Sequence, residues 1–403
     1  MFYPAHINLQ DKKCLVVGGG TVAERKVVAM LLSGGNVTVI SPDTTELLTF
    51  LANIGTIRWH KRQLQTGDTN GYFLVCAATD FTDINSAVFT EAHEKHKIPF
   101  VNVVDVIPQC TFAAASVVTD GEILLSISTS GKSPATSRRI REHFEKILDA
   151  TSLYTLGYED GKPIPIVSER EGQALPYPVY LLLENRKCVV VSEQKTPEVE
   201  RRISLLDRCG ASVVHISPDE MKPYHLEDAF LVIADKRSAV DYPLNTNPPY
   251  PPYQGGIGIR EYLDEPNAGT HFTPELIIDD NLIISVSARS STGIDKAKRL
   301  HKKLTNEFEN NGYGVFIEFL GTRRAEILKA FPTPKKRADF FEGLIDTVEE
   351  AVSGLQIPST TCCLGLTNPE CSAECLFNWV RHGKLEHANT FTSKRLDKEQ
   401  RRC

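Results

Sequence analysis

Residues 13–26 read Lys-Cys-Leu-Val-Val-Gly-Gly-Gly-Thr-Val-Ala-Glu-Arg-Lys, and they leave the chain little choice of fold. A four-residue apolar run, the length of a short buried strand, meets three glycines. Behind them Ala23, Val27, Met30 and Leu31 share one helical face. Gly34-Gly35 stops that helix. Gly18-x-Gly20-x-x-Ala23 is the G-x-G-x-x-G/A pattern of a dinucleotide site. Gly18 permits the tight turn, Gly20 lets backbone approach a pyrophosphate, and small Ala23 lets helix and strand pack closely. The helix N-terminus then presents unpaired N–H groups and a partial positive charge to phosphate. The bland alternative is a glycine-rich β–α turn with no ligand.

The next units repeat the strand–helix rhythm. Residues 36–40 form a strand with Ser41-Pro42-Asp43 at its carboxyl end, and Asp43 lies 23 residues after Gly20. That is close to the spacing at which a carboxylate meets a ribose hydroxyl. The proline makes the geometry atypical, so Ser41 or backbone groups share the task, and Ser-Pro-Asp is also an ordinary helix-entry turn. A strand over 72–77 ends at Ala78-Thr79-Asp80, a helix follows over 82–96, and a strand over 100–104 ends at Asp105. Alternation of this kind predicts a doubly wound parallel sheet of Rossmann type, with Gly18, Ser41, Thr79, Asp80 and Asp105 on its ligand-binding edge.

From Cys110 the pattern changes to two antiparallel strands, 111–118 and 123–128, turning at Asp120-Gly121. A helix over 135–148 follows, with Ser133 as N-cap and Pro134 at its first position. Arg138, Arg139 and Arg141 open it. Such charges usually belong to a solvated surface. Alternatively they make a cationic rim for a ligand bearing several carboxylates.

Together, residues 14–26, Asn102-Val103-Val104-Asp105 and Ser130-Gly131-Lys132-Ser133-Pro134 resemble the dehydrogenase/ferrochelatase module of siroheme synthase, over about residues 1–150 and in the right order. The resemblance implies that NAD⁺ takes a hydride from precorrin-2 to give sirohydrochlorin, and some members also insert Fe²⁺. It places nucleotide contacts on Thr21-Val22 and Pro42-Asp43 and makes Asp105 the residue on which both activities depend. We expect Asn102, Ser128, Ser130, Lys132, Ser133 and Arg138 to bind the tetrapyrrole. Aromatising a reduced tetrapyrrole removes a hydride and a proton, and metal insertion removes pyrrole protons. A carboxylate beside the nicotinamide can accept either. Asp105 suits that place; otherwise it caps the turn that ends its strand. Residues 1–150 hold no recognisable metal-ligand spacing, so iron is a substrate held by the macrocycle.

The second half begins the pattern again after a linker over 151–178. Lys187-Cys188-Val189-Val190-Val191 echoes Lys13-Cys14-Leu15-Val16-Val17 at an offset of 174, and Ser217-Pro218-Asp219 repeats Ser41-Pro42-Asp43. Asp264 and Ser285 fall opposite Asp105 and Ser126 at an offset of 159. This predicts an internal duplication. The copy has Ser192-Glu193-Gln194 in place of the glycines, which would block and repel a pyrophosphate. The spacing from Asp219 to Asp264 is 45 residues against 62 from Asp43 to Asp105, so the copied sheet is trimmed. It reads mainly as scaffold.

The expected domains are an NAD-binding domain (1–110), a dimerisation and tetrapyrrole-binding segment (111–150), the linker, a degenerate copy (179–270), a second dimerisation-type segment (271–312), a helical extension (313–357) and a cysteine-rich tail (358–403). The copies are expected to pack as an intramolecular pseudo-dimer. Cys362, Cys363, Cys371 and Cys375 lie within 14 residues and are candidates for zinc or an iron–sulfur cluster, although the spacing matches no standard knuckle. Residues 393–403 are charged and expected to be disordered. A net charge of -6 gives no nucleic-acid signal, and no apolar run reaches membrane-spanning length. Ten cysteines without a secretory signal favour the cytoplasm. The competing function class is a non-catalytic tetrapyrrole or nucleotide sensor.

Overall fold

The computed structural model describes residues 1–104, 106–120, 123–148, 151–152, 158–159, 162–163, 176–239, 259–264, 271–288, 293–331, 333–346 and 375–400. Two compact units do not follow chain order: Met1–Ala115 joins Leu153–Pro274, and Ser116–Ser152 joins Glu275–Cys403.

In the first unit the chain forms β1 (Tyr3–Ile7), β2 (Lys13–Val17), α1 (Thr21–Leu32), β3 (Asn36–Ile40), α2 (Glu46–Asn53), β4 (Arg58–His60), β5 (Leu74–Ala77), α3 (Thr82–Phe89), β6 (Phe100–Val103) and β7 (Phe112–Ala114). Strands β4-β3-β2-β5-β6 make a parallel sheet in that order. Their near-continuous apolar sequences are those of strands buried on both faces. Leu15, Val17, Val75, Ala77 and Val101 form one core with Val88 of α3, while α1 buries Ala23, Val27 and Met30. The chain runs outward from β2 to β3 and β4, then returns to β5 on the other side of β2. That reversal opens a crevice at the carboxyl end of β2. The helix expected over 82–96 is α-helical to Phe89 and π-helical over Thr90–Lys95.

A second parallel sheet has the order Ser212–Ile216, Lys187–Val191, Leu231–Ala234, Ile259–Tyr262. This is the order β3-β2-β5-β6 of the first sheet. The helix Pro197–Arg208 follows its central strand and is capped by Thr196, whose Oγ1 accepts the Val199 N–H at 3.3 Å. A third, antiparallel sheet runs His271–Phe272, β1, Tyr177–Leu181, β7. Ala5 lies opposite Val179, an offset of 174 residues.

The second unit is built on an antiparallel sheet ordered Thr151–Ser152, Ser116–Thr119, Ile123–Ser128, Leu282–Ala288, Glu275–Asp279. Ser126 faces Ser285 across it, their hydroxyls 2.6 Å apart. Helices Pro134–Leu148, Ile294–Phe308 and Tyr313–Ala330 contribute Phe144, Phe308, Tyr313 and Phe316 to its core. The chain end departs from expectation: Leu385–Gln400 is a helix. Ala388, Thr392 and Leu396 recur every fourth residue and are buried, and Phe391 packs on Trp379 at 5.3 Å between ring centres. That apolar face outweighs the charged composition. Among the described residues no helix is long and apolar enough to cross a membrane.

Candidate functional site

At the carboxyl edge of the first parallel sheet lies a cavity of about 1050 Å³. The glycine loop forms its floor. Gly18 has φ +121°, and a Cβ there would sit 2.2 Å from the Ala78 carbonyl oxygen. A Cβ on Gly19 would sit 2.0 Å from the Asp43 carbonyl oxygen. Both glycines are therefore required by the neighbouring strand ends. Gly20 differs: a Cβ there would meet nothing within 4 Å, so the loop's outer side is open. Gly20 is also the N-cap of α1, without a side-chain hydrogen bond. The first amides of α1 thus have no side-chain cap and border the cavity through Thr21 and Val22, the arrangement that receives phosphate. Ala23 is fully buried beneath them and does not line the cavity.

The other walls come from adjacent strand ends. Ser41, Pro42, Asp43, Thr79 and Asp80 all line the space. Ser41 Oγ donates to the Asp43 carbonyl at 2.7 Å, and Trp59 Nε1 donates to the Ser41 carbonyl at 2.9 Å. The Ser41 hydroxyl thus gives its proton to holding the loop, and the Asp43 carboxylate lines the same cavity. Thr79 is clamped by Asn85, whose Oδ1 accepts the Thr79 N–H at 3.1 Å and hydroxyl at 2.8 Å. Sequence reasoning missed Asn85, Phe81 and the stretch Arg62-Gln63-Leu64, all of which line the cavity. Phe81 is 66% exposed and places an aromatic ring at the wall.

Asp105 lies outside the described residues, but its neighbours Val104 and Val106 both line the cavity. Asn102 does not line it. That side chain is buried, its amide donating to the Phe112 carbonyl at 3.0 Å and to Cys110 Sγ at 3.6 Å.

The remaining expected substrate residues belong to the second unit. Ser128 Oγ accepts the Ser130 N–H at 3.1 Å, and Ser130 takes a positive φ of 50°. Ser133 Oγ accepts the Thr136 N–H at 3.4 Å, the N-cap bond its position predicts. Lys132 pairs with Glu318, and Arg138 pairs with Glu142 at 3.1 Å and Glu342 at 2.5 Å. These cations are exposed enough for the pairs to exchange with a ligand carboxylate.

Of the candidate metal ligands, Cys362, Cys363 and Cys371 lie outside the described residues. Cys375 is buried. Among the described residues no group of three or more His, Cys, Asp or Glu side chains is placed to hold a metal ion.

Comparison with known proteins places this geometry among nucleotide-binding sequences. Residues 5–116 match a family described as "Putative NAD(P)-binding". The chain is 35% identical over 179 residues to a siroheme synthase of Methylococcus capsulatus, covering 44% of this chain and 36% of that one. It is 38% identical over 148 residues to the siroheme synthase of Methylobacillus flagellatus, covering 37% and 31%. The chain thus spans about a third of the length of these curated relatives. A solved precorrin-2 dehydrogenase, SirC, is 26% identical with a TM-score of 0.31, over 35% of this chain and 68% of that one. The resemblance to the siroheme synthase N-terminal module read from the motifs is thus accompanied by similarity to about a third of the length of each of these curated sequences.

Proposed function

We propose that this chain is an NAD-dependent dehydrogenase that oxidises precorrin-2 to sirohydrochlorin. The observation that carries the reading is the glycine loop: Gly18 and Gly19 are closed against Ala78 and Asp43, while Gly20 and the start of α1 are open to the cavity. NAD⁺, when bound, supplies the hydride acceptor. The α1 amides would hold its pyrophosphate, and the Asp43 carboxylate would accept from ribose hydroxyls. The substrate loses a hydride and a proton, and the Asp105 carboxylate would take the proton. This role is supported by Val104 and Val106, which line the cavity on either side of it in sequence. Insertion of Fe²⁺ as a second substrate would release two pyrrole protons, which the same carboxylate would take one at a time and pass to water. Ser128, Ser130, Lys132, Ser133 and Arg138 are proposed to meet the tetrapyrrole and its carboxylates, whereas Asn102, its amide buried on Phe112 and Cys110, is proposed only to hold the end of β6.

We also propose that the second half is a degenerate copy paired with the first as an intramolecular pseudo-dimer. Two antiparallel ladders support this. Ala5 faces Val179 at the offset of 174, and Ser126 faces Ser285 at the offset of 159, the two offsets at which the sequence repeats. Residues facing their own counterparts is what a local two-fold produces. If fragment 1–150 alone is a monomer with full activity, this pairing is not part of the site.

Anaerobic incubation of the full chain with precorrin-2 and NAD⁺, with and without Fe²⁺, tests the activity by absorbance. Sirohydrochlorin without Fe²⁺ supports the dehydrogenase, and siroheme with Fe²⁺ adds chelatase activity. Neither product favours a tetrapyrrole or nucleotide sensor. Asp105→Ala should remove turnover while NAD⁺ affinity stays near that of the native chain. A zinc or iron–sulfur centre on the tail cysteines is a separate proposal resting on the clustering of four thiols within 14 residues. Anaerobically purified protein without zinc, iron or sulfide refutes it.

A further inference from the structure

The nucleotide cavity has one basic side chain among its described lining residues, Arg62, and that cation is already engaged. Arg62 follows β4, whose His60 lies opposite Ile40 at the end of β3. It therefore sits one strand over from Ser41-Pro42-Asp43, on the wall where an adenosine ribose would lie. Its guanidinium makes a two-pronged pair with Asp68, Nη1 to Oδ2 and Nη2 to Oδ1, each at 2.7 Å. Nη1 also donates to the Gln63 carbonyl at 3.0 Å. Asp68 is fixed in turn: its Oδ2 accepts the Gln65 N–H at 2.7 Å, and its side chain is only 14% exposed against 35% for Arg62. The loop 62–68 thus closes on itself and consumes the guanidinium's planar fork.

Such a fork is what a phosphate dianion seeks, because two parallel N–H groups match two of its oxygens. A ribose hydroxyl instead needs an acceptor, which the Asp43 carboxylate supplies in the same cavity. We propose that Asp68 sets coenzyme choice by sequestering Arg62, so that the cavity takes NAD⁺ and rejects its 2′-phosphorylated counterpart. The proposal rests on the nucleotide-site reading above and goes beyond it, because the matched family is described only as NAD(P)-binding. Two charges act together: Asp43 repels a 2′-phosphate, and Arg62, the cation among the described lining residues that would offset it, is neutralised. The carboxyl of Asp68 is held below its ordinary acidity range, chiefly by the Arg62 hydrogen bonds, so the lock stays closed at neutral pH.

The test is calorimetric binding of NAD⁺ and NADP⁺ to the full chain. Native protein should bind NAD⁺ at least about tenfold more tightly. Asp68→Asn, which releases Arg62, should tighten NADP⁺ about tenfold, the worth of one charge-assisted contact, and change NAD⁺ less than about threefold. Asp68→Ser keeps a small acceptor near the Gln65 amide and should act in the same direction should Asp68→Asn not fold. Adding Arg62→Ala to either variant should abolish the NADP⁺ gain. Native protein that binds the two coenzymes equally, a ratio unmoved by both Asp68 variants, or a gain that survives loss of Arg62 overturns the proposal alone. Native protein that binds neither overturns the nucleotide-site reading together with it.

Discussion

The two parallel sheets of the first unit share a strand order and finish their carboxyl edges in opposite ways. In the first, three glycines leave the start of α1 facing a cavity of about 1050 Å³. In the second, the matching positions Ser192 and Glu193 carry side chains that bond to groups at the neighbouring strand ends. Ser192 is fully buried, with Oγ 2.8 Å from His215 Nε2. Glu193 pairs with Lys236 at 3.2 Å, and its N–H points to Asp235 Oδ2 at 3.4 Å. Two strands along, Asn102 of β6 is a neutral amide, whereas its counterpart Glu261 is a buried carboxylate. Glu261 accepts from Arg202 at 3.2 Å and from Thr273 N–H and hydroxyl at 2.8 and 3.0 Å. The contrast separates two requirements. A buried strand needs only apolar residues, which Val189, Val191, Val232 and Ala234 still provide. A ligand edge needs empty space and unpaired donors, which a few side chains can close.

The largest expected effect breaks the contrast from the open side. Gly20→Asp introduces a carboxylate where a Cβ meets nothing within 4 Å, so the fold should survive. Two like charges about 4 Å apart near a protein surface repel by about 4 kcal/mol, roughly a thousandfold in affinity. Calorimetry should then find no NAD⁺ binding while the thermal melt is little changed. Binding at native strength would mean that the loop is not the phosphate cradle.

The second effect is on stability. Glu261→Ala leaves the partly buried Arg202 guanidinium, whose side chain is 15% exposed, with Glu198 as its remaining carboxylate partner at 3.1 Å, removes the acceptor of the Thr273 N–H and hydroxyl, and should cost about 3 kcal/mol. Asn102→Ala removes only neutral hydrogen bonds and should cost about 1 kcal/mol. Denaturant melts of the two variants that give equal losses would erase the distinction between the strands.

Acid probes the ladder that joins the halves. Burial lowers the pKa of His6 to about 3, with His271 as a further cause, and burial is also the main reason that of His271 is lowered. Below the unfolded value of about 6.5 the unfolded chain takes protons that the native ladder refuses, so stability falls as pH drops towards the folded values. Each such histidine removes at most about 1.4 kcal/mol per pH unit in that window. Melting temperatures should therefore drop between pH 7 and pH 5, and a flat profile would show that both rings are solvated.

The smallest effect lies on the closed side. Ser192→Ala removes one hydroxyl bond to His215, costs about 1 kcal/mol, and should leave NAD⁺ affinity unchanged. A change in affinity would mean that the second edge also takes part in binding.

Periodicity and the glycine spacing made β2, α1, β3 and the edge residues Ser41, Asp43 and Thr79 legible, because each follows from local backbone geometry. The three-residue β4 was not legible: Arg58-Trp59-His60 is too short to show an alternation. Without β4 there was no reason to bring Arg62 to the cavity, and its bond to Asp68 depends on a loop closing over six residues. Asn85 looked like any polar residue on a helix face until that face met Thr79. The chain-terminal helix was hidden by its charges, since its apolar stripe of Ala388, Thr392 and Leu396 is narrow and becomes decisive only against Trp379 and its neighbours.

The most direct measurement of the central claim is the stoichiometry of NAD⁺ binding to the full chain, read by titration calorimetry. One open edge and one closed edge predict one site per chain, lost in Gly20→Asp. Two equivalent sites, or a single site that persists in Gly20→Asp, would contradict the account.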